Sequence, residues 1–273
     1  MAERIDVLRQ RVGGRPPAPE GSPTEGRQCE EHGEYQAAVW SVTIGRVTRK
    51  MESPCPQCLL ELKGREGLAR HKAARAALEA HRDRLRAASG VGELFAGTDI
   101  RQYTPMLRGQ VPASTRLVEI VQSVETPSAD GVILIGVPGV GKTHMLCAAV
   151  NAVIDRGYSA RYMTAAELIR EIRGTWGHKG PSEDEVIRAM IGVRLLAIDE
   201  LGVQYGTDSE KYLMHAVIDG RMREKRPTIY GSNVPFADLA PVVGERVHDR
   251  MRQFCDVFEI AGKSLREKLK GKV

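Results

Sequence analysis

The chain has 273 residues, 42% apolar and 27% charged, with a formal net charge of +5 and five cysteines. That length fits about two domains and allows a sizeable core. No apolar run approaches the roughly 20 residues of a membrane span, and MAERIDVLRQRVGG lacks the apolar centre of a secretory signal. Without export, paired cysteines read as metal ligands rather than a disulfide framework, and the expected compartment is the cytoplasm.

Ile5, Leu8 and Val12 recur at helical spacing and predict a short helix over 1–12. The Gly/Pro-rich stretch 13–28 reads as a flexible linker, so 1–28 forms the first segment. A second module covers 29–61. Here Cys29-x-x-His32 and Cys55-x-x-Cys58 stand 22 residues apart, and each pair is able to bite one metal from a tight turn. Three thiolates and an imidazole suit tetrahedral Zn²⁺ in a closed structural site. The intervening EYQAAVWSVTIGRVTRK is predicted to be a hairpin, as in zinc ribbons. So short a module builds no core of its own, and the metal would supply its folding energy. Ribbons bind proteins and nucleic acids alike, so the spacing names no partner.

Residues 62–91 are predicted to form a basic helical connector. Eight Lys/Arg between 62 and 88 face only Glu66, Glu79 and Asp83, and five more at 263–273 face Glu267 alone. Both stretches read either as solvated charged surfaces or as phosphate-facing ones.

From about 92 to 273 a single α/β domain is predicted. Short apolar strands at 132–135, 160–163, 194–198, 228–231 and 256–260 alternate with helical stretches, which argues a parallel sheet covered on both faces. Cys147 and Cys255 read as small buried hydrophobes. The first strand runs into Gly136-Val137-Pro138-Gly139-Val140-Gly141-Lys142-Thr143 and then into a helix. This is the phosphate loop in its required strand–loop–helix setting. Its glycines let backbone amides turn toward phosphate, Lys142 reaches the β/γ-phosphates, and the Thr143 hydroxyl is a Mg²⁺ ligand. His144 opens the helix and is grouped with the nucleotide-contacting residues. A second strand ends in Asp199-Glu200, about 55 residues after Lys142. Asp199 is placed to hold Mg²⁺ and Glu200 to polarise the attacking water. A third strand ends at Asn233, which is either a turn-starting asparagine or a residue that orients that water.

The combination resembles the AAA+ ATPases, with Asn233 at the sensor-1 position. IDELGVQ (198–204), KRPTIYGSN (225–233) and GERVHDRMR (244–252) sharpen the likeness. They resemble the DnaC-type replicative helicase loaders, close relatives of the IstB transposition ATPases, over about residues 92–270. The resemblance implies an ATPase using ATP and Mg²⁺, with Arg250 as an arginine finger that acts across a self-association interface. It places Arg266 in the sensor-2 region. The chain stops seven residues later, so no full α-helical lid is expected. It implies that Arg173 and Trp176 touch single-stranded DNA, and that the N-terminal region binds a DnaB-type helicase hexamer. The function so implied is ATP-dependent loading of that helicase onto single-stranded DNA during replication initiation. The alternatives are an IstB-like, ATP-dependent, DNA-binding transposition regulator and a nucleotide-gated adaptor that hydrolyses little.

Overall fold

The computed structural model describes residues 6, 7, 9, 18–44, 47–174, 180–202 and 207–266. The predicted helix over 1–12 and Trp176 lie wholly or largely outside these residues. The chain divides into two units, Met1–Glu79 and Ala80–Val273. The division falls inside the predicted connector rather than at its end.

In the first unit, strands β1 (Thr24–Cys29), β2 (Gly33–Ile44) and β3 (Val47–Glu52) form an antiparallel sheet in the order β1-β2-β3. The predicted hairpin is the β2–β3 pair. Strand β1 lies mostly within the stretch predicted as linker. Its Arg27 donates to Glu25 at 2.7 Å and to Glu52 of β3 at 2.8 Å, which ties the added strand to the hairpin. Helix α1 (Pro56–Ala87) follows, so the second cysteine pair sits at a helix start rather than in a free turn. Proline is favoured at the first helical position, where no amide donor is needed. Cys55, Cys58 and Leu62 bury themselves together, with Tyr35 and Leu59 packed against them.

In the second unit, two 3₁₀ turns (Glu93–Phe95 and Ile100–Gln102) precede α2 (Gln110–Gln122). Then come β4 (Gly131–Ile135), α3 (Lys142–Asp155), β5 (Ala160–Thr164), α4 (Ala165–Arg173) and α5 (Glu183–Gly192). The chain continues through β6 (Leu195–Leu201), α6 (Asp208–Arg223), β7 (Thr228–Ser232), α7 (Ala240–Val243), α8 (Glu245–Phe254) and β8 (Cys255–Glu259). The five strands form a sheet in the order β5-β6-β7-β4-β8, and every pairing is parallel. The predicted parallel sheet is therefore present.

Strand alternation builds the core. Val132 and Leu134 of β4 point to one face, with Leu195 and Ala197 of β6, and pack under α2 and α3. Ile133 and Ile135 point to the other face, with Leu196 and Ile198, under α4, α5, α6 and α8. Helices α4, α5 and α6 each start on a capping box, from Thr164/Glu167, Ser182/Glu185 and Thr207/Glu210. The sheet thus delivers the ends of β4, β6 and β7 side by side, where open α/β sheets bind ligands. No helix among the described residues is long and apolar enough to cross a membrane.

Candidate functional site

Strand β4 is fully buried and ends at the loop 136–141. Gly139 (φ +86°) and Gly141 (φ +92°) take left-handed backbone, which a side chain rarely adopts. A Cβ on Gly139 would also lie 2.1 Å from Ser264 Oγ. The close approach is matched by the Leu265 amide, which donates to Gly139 O at 2.9 Å, so the C-terminal segment leans on the loop. Arg266 thereby lines the same cleft as Pro138, Gly141, Lys142, Thr143 and His144. Gly136 and Val137 turn their carbonyls to Lys142, while Val140 is buried and its carbonyl accepts from Gln110 Nε2 at 2.8 Å.

The Lys142 ammonium donates to Gly136 O (2.6 Å), Val137 O (3.1 Å) and Asn233 Oδ1 (2.6 Å). Sequence positions 142 and 233 are thus brought into direct contact. Burial holds this lysine below its ordinary range, against the opposing pull of Asp199. Asp199, 1% exposed, accepts from Thr143 Oγ1 at 2.6 Å and from Tyr162 OH at 3.1 Å. Burial is also the main cause that raises the Tyr162 phenol, which stays a donor. Glu200 carries φ +55°, at the irregularity in β6–β7 pairing between Ile198 and Leu201. The bulge turns an exposed carboxylate into the cleft beside a buried one. A hydroxyl and a carboxylate in contact, next to a second carboxylate, are a donor set suited to Mg²⁺.

The cleft encloses about 650 Å³. Its far wall comes from Leu94, Phe95, Thr98, Asp99, Gln102, Tyr103 and Met106. No motif marks this arm in the sequence. Two buried amides hold it in place. Asn151 Nδ2 donates to Phe95 O (2.8 Å) and Thr98 O (2.9 Å), and Gln110 Oε1 accepts from the Met106 and Leu107 amides (2.6 and 2.9 Å). The His144 ring sits 5.9 Å from Phe95 and 5.3 Å, edge-on, from Tyr103. Apolar and aromatic walls beside a phosphate loop suit a nucleotide base. A further silent position is Gly231 on β7, where a Cβ would stand 2.1 Å from Asp199 Oδ1. Asp199 has its place because its neighbour strand has no side chain there.

Arg250 lies outside the cleft. Its guanidinium is about half exposed on α8, 3.7 Å from Asp219 Oδ1 on α6. The same helix is anchored by His248, whose ring stacks on Phe236 at 4.4 Å and whose Nε2 donates to Phe236 O at 2.9 Å. Arg173, at the end of α4, reaches Glu210 and Thr207 at 3.5 Å each, so its charge is already partly countered within the chain. Trp176 lies outside the described residues.

In the first unit the four predicted metal ligands converge. Their ligand atoms all lie within 4.8 Å of one another. His32 Nδ1 stands 3.6, 3.7 and 3.3 Å from the sulfurs of Cys29, Cys55 and Cys58, and the Cys29 and Cys58 sulfurs are 3.6 Å apart. A tetrahedron with Zn–S of about 2.3 Å and Zn–N of about 2.0 Å has edges of about 3.5–3.8 Å, so the set fits zinc. His32 Nε2 meets Glu61 Oε1 at 3.2 Å, the outer hydrogen bond common to metal-binding histidines. The Glu31 backbone lowers the Cys29 thiol to about 6, while burial pushes Cys58 up to about 12. Three thiolates this close repel one another, and a cation held between them would relieve that repulsion.

A profile of the family described as IstB-like ATP binding protein matches residues 74–273. The replicative helicase loader DnaC of Escherichia coli K12 is 32% identical over 164 residues, which span 60% of this chain and 66% of the loader. DnaC of Buchnera aphidicola subsp. Baizongia pistaciae is 32% identical over 170 residues, 62% of this chain and 69% of its own. Among solved structures, the DnaC helicase loader superposes with a TM-score of 0.55 at 22% identity, covering 62% of this chain and all of that one. AMPPCP-bound DnaA from Aquifex aeolicus gives 0.55 at 20% identity, over 66% and 57% of the two chains. The fold is the AAA+ ATPase fold of these replication proteins, and the chain belongs to the IstB-like ATP-binding protein family.

Proposed function

We propose that this protein is an ATP-dependent loader of a DnaB-type replicative helicase onto single-stranded DNA. The observation that carries the reading is the convergence of Lys142, Thr143, Asp199, Glu200 and Asn233 on one cleft, in a chain that is 32% identical over 164 residues to a replicative helicase loader. The same relatives favour loading over the transposition-regulator alternative, which shares the cleft.

Lys142 and the loop amides hold the β- and γ-phosphates of ATP. Thr143 and Asp199 take a magnesium ion, which when bound neutralises charge on those phosphates. Glu200 is held out of the strand ladder and accepts a proton from the attacking water. Asn233 exchanges its lysine contact for the job of orienting that water. Arg266 adds a second cation from the C-terminal segment. Arg250 is exposed and outside its own cleft, so it serves a neighbouring copy's nucleotide as an arginine finger. Single-stranded DNA meets Trp176, with Arg173 joining once released from Glu210. Cys29, His32, Cys55 and Cys58 hold a structural zinc ion, and the unit it folds contacts the helicase. The working compartment is the bacterial cytosol.

The test is reconstitution with a DnaB-type helicase and circular single-stranded DNA. Wild-type protein with ATP should place the helicase on the circle, and Lys142→Ala should not. Glu200→Gln should bind ATP normally but hydrolyse it about 10²–10⁴-fold more slowly. Normal ATP hydrolysis without helicase capture would overturn the loader reading and leave the ATPase standing.

A further inference from the structure

Helix α1 is bare where most helices are covered. Every residue from Arg70 to Ala80 is exposed, on all sides of the helix. Burial therefore does not hold this stretch helical. Alanine and arginine propensity does, helped by the Arg75–Glu79 ion pair at 3.0 Å. The charge is as unusual as the exposure. Eight Lys/Arg and three acids between 62 and 88 account for the whole net charge of +5, so the rest of the chain is neutral. Lys63, Arg65, Arg70 and Lys72 have no carboxylate partner among the described residues, while Glu66 is taken by Arg9 at 2.8 Å.

The placement of these four is specific. At about 100° per residue, Lys63 and Arg70 share one side of the helix, and Arg65 and Lys72 share the side roughly opposite. Two opposed cationic rows on a helix about 10–12 Å wide match a groove about 12 Å wide with phosphates along both rims. That is the major groove of duplex DNA. A single strand offers one line of phosphates and would meet one row only. An acidic protein surface would likewise complement one side. We infer that the face of α1 between the Lys63/Arg70 row and the Arg65/Lys72 row, on the side away from buried Leu62, is a docking surface for duplex DNA, entered by the helix and held through the phosphates on both sides. Gly64, Gly67 and Ala74 lie between the rows on that free face and keep it thin enough to enter.

This inference goes beyond the loader reading and does not rest on it, because the binding needs neither helicase nor nucleotide. The experiment uses the full chain with a labelled 20-bp duplex and a 20-nucleotide single strand, titrated by fluorescence anisotropy from 50 to 200 mM salt. The variant Lys63→Gln/Arg65→Gln/Arg70→Gln/Lys72→Gln retains helix propensity. It should lose at least tenfold in duplex affinity at 100 mM salt. Its salt slope should fall by about four, close to one per removed phosphate contact. Lys63→Gln/Arg70→Gln alone, which clears one row, should lower the slope by about two and keeps the test valid if the fourfold variant misfolds. Unchanged duplex affinity would overturn the inference. So would a loss confined to the single strand, or a loss confined to capture of a helicase, which would assign the surface to a protein.

Discussion

The nucleotide cleft and the four-ligand cluster are both sites of close polar contact, but they stand on different foundations. In the cleft, Lys142, Thr143, Asp199 and Asn233 sit at the ends of elements whose apolar residues are almost wholly buried. The layered core places them, and each finds a protein partner once there. In the first unit, the one buried apolar cluster among the described residues that touches the site is Cys55, Cys58 and Leu62, and two of those three are themselves candidate ligands. The fold places the first site, whereas the second, once it carries a metal, is expected to hold its own fold together.

The largest expected effect tests that contrast directly. Zinc analysis should find about one ion per chain, as one four-ligand site requires. Its removal by chelation, or the substitution Cys55→Ser, should abolish hydrogen-exchange and protease protection of β1, β2 and β3. A structural zinc site contributes on the order of 10 kcal/mol, far more than so small a core supplies. Nucleotide affinity of the second unit should stay within about twofold. Persistence of the three strands in zinc-free protein would erase the distinction.

Lys142→Ala probes the other side of the comparison. Nucleotide affinity should fall by at least about a hundredfold, because the phosphates lose their buried cation. Stability should barely move. The acceptors of Lys142 line or border the cleft, where water replaces the ammonium. A thermal midpoint lowered by less than about 4 °C, or roughly 1 kcal/mol in a unit of this size, is expected. A much larger drop would mean that this site, too, supports its fold.

How much of this was legible in the sequence follows the same divide. The octet at 136–143, the acids at 199–200 and Asn233 are readable because phosphate chemistry demands those residue types at strand ends. The five parallel strands are readable because buried β4 and β6 are almost purely apolar. Strand β1 was hidden in a Gly/Pro-rich stretch, since its residues TEGRQC carry no apolar alternation and its pairing with β2 rests on the backbone ladder. The wall at 94–106 was silent because its residues carry no motif. Asn151 and Gln110, which hold that wall, look like ordinary polar residues on a helix until their partners are known. Gly231 was silent because its role is the space it leaves for Asp199.

Gly231→Ala sharpens the comparison at a position where a methyl would meet Asp199 Oδ1 at 2.1 Å and Leu146 Cδ1 at 3.0 Å. The new methyl would push the carboxylate from Thr143. ATP hydrolysis should fall about 10–100-fold through loss of metal positioning. Nucleotide affinity should change much less, since Lys142 keeps its place. Steady-state kinetics against magnesium concentration provide the check, with a raised magnesium requirement as the specific signature. Wild-type kinetics would show that Asp199 moves freely and that the packed core does not set its position.

The smallest expected effect is a pH dependence at His144. Burial between the arm and the helix start lowers this imidazole below its ordinary value of 6.5. Phe95 and Tyr103 flank the ring, and neither carries a charge to offset the loss of water. Below pH 6.5 the unfolded chain therefore binds a proton that the folded unit takes up less readily. By linkage, stability is fully present above that pH and declines as the pH falls through the window beneath it. His144→Gln removes this contribution. Its thermal midpoint should start lower at pH 7.5, because the ring contacts are gone, yet fall less steeply between pH 6.5 and 5. Hydrogen exchange of α3 amides follows the second unit alone and keeps the metal cluster out of the reading. Parallel slopes for wild type and variant would show that the cleft wall gives His144 ready access to water. The firmness ascribed to the site on the layered core would then stop short of its outer arm.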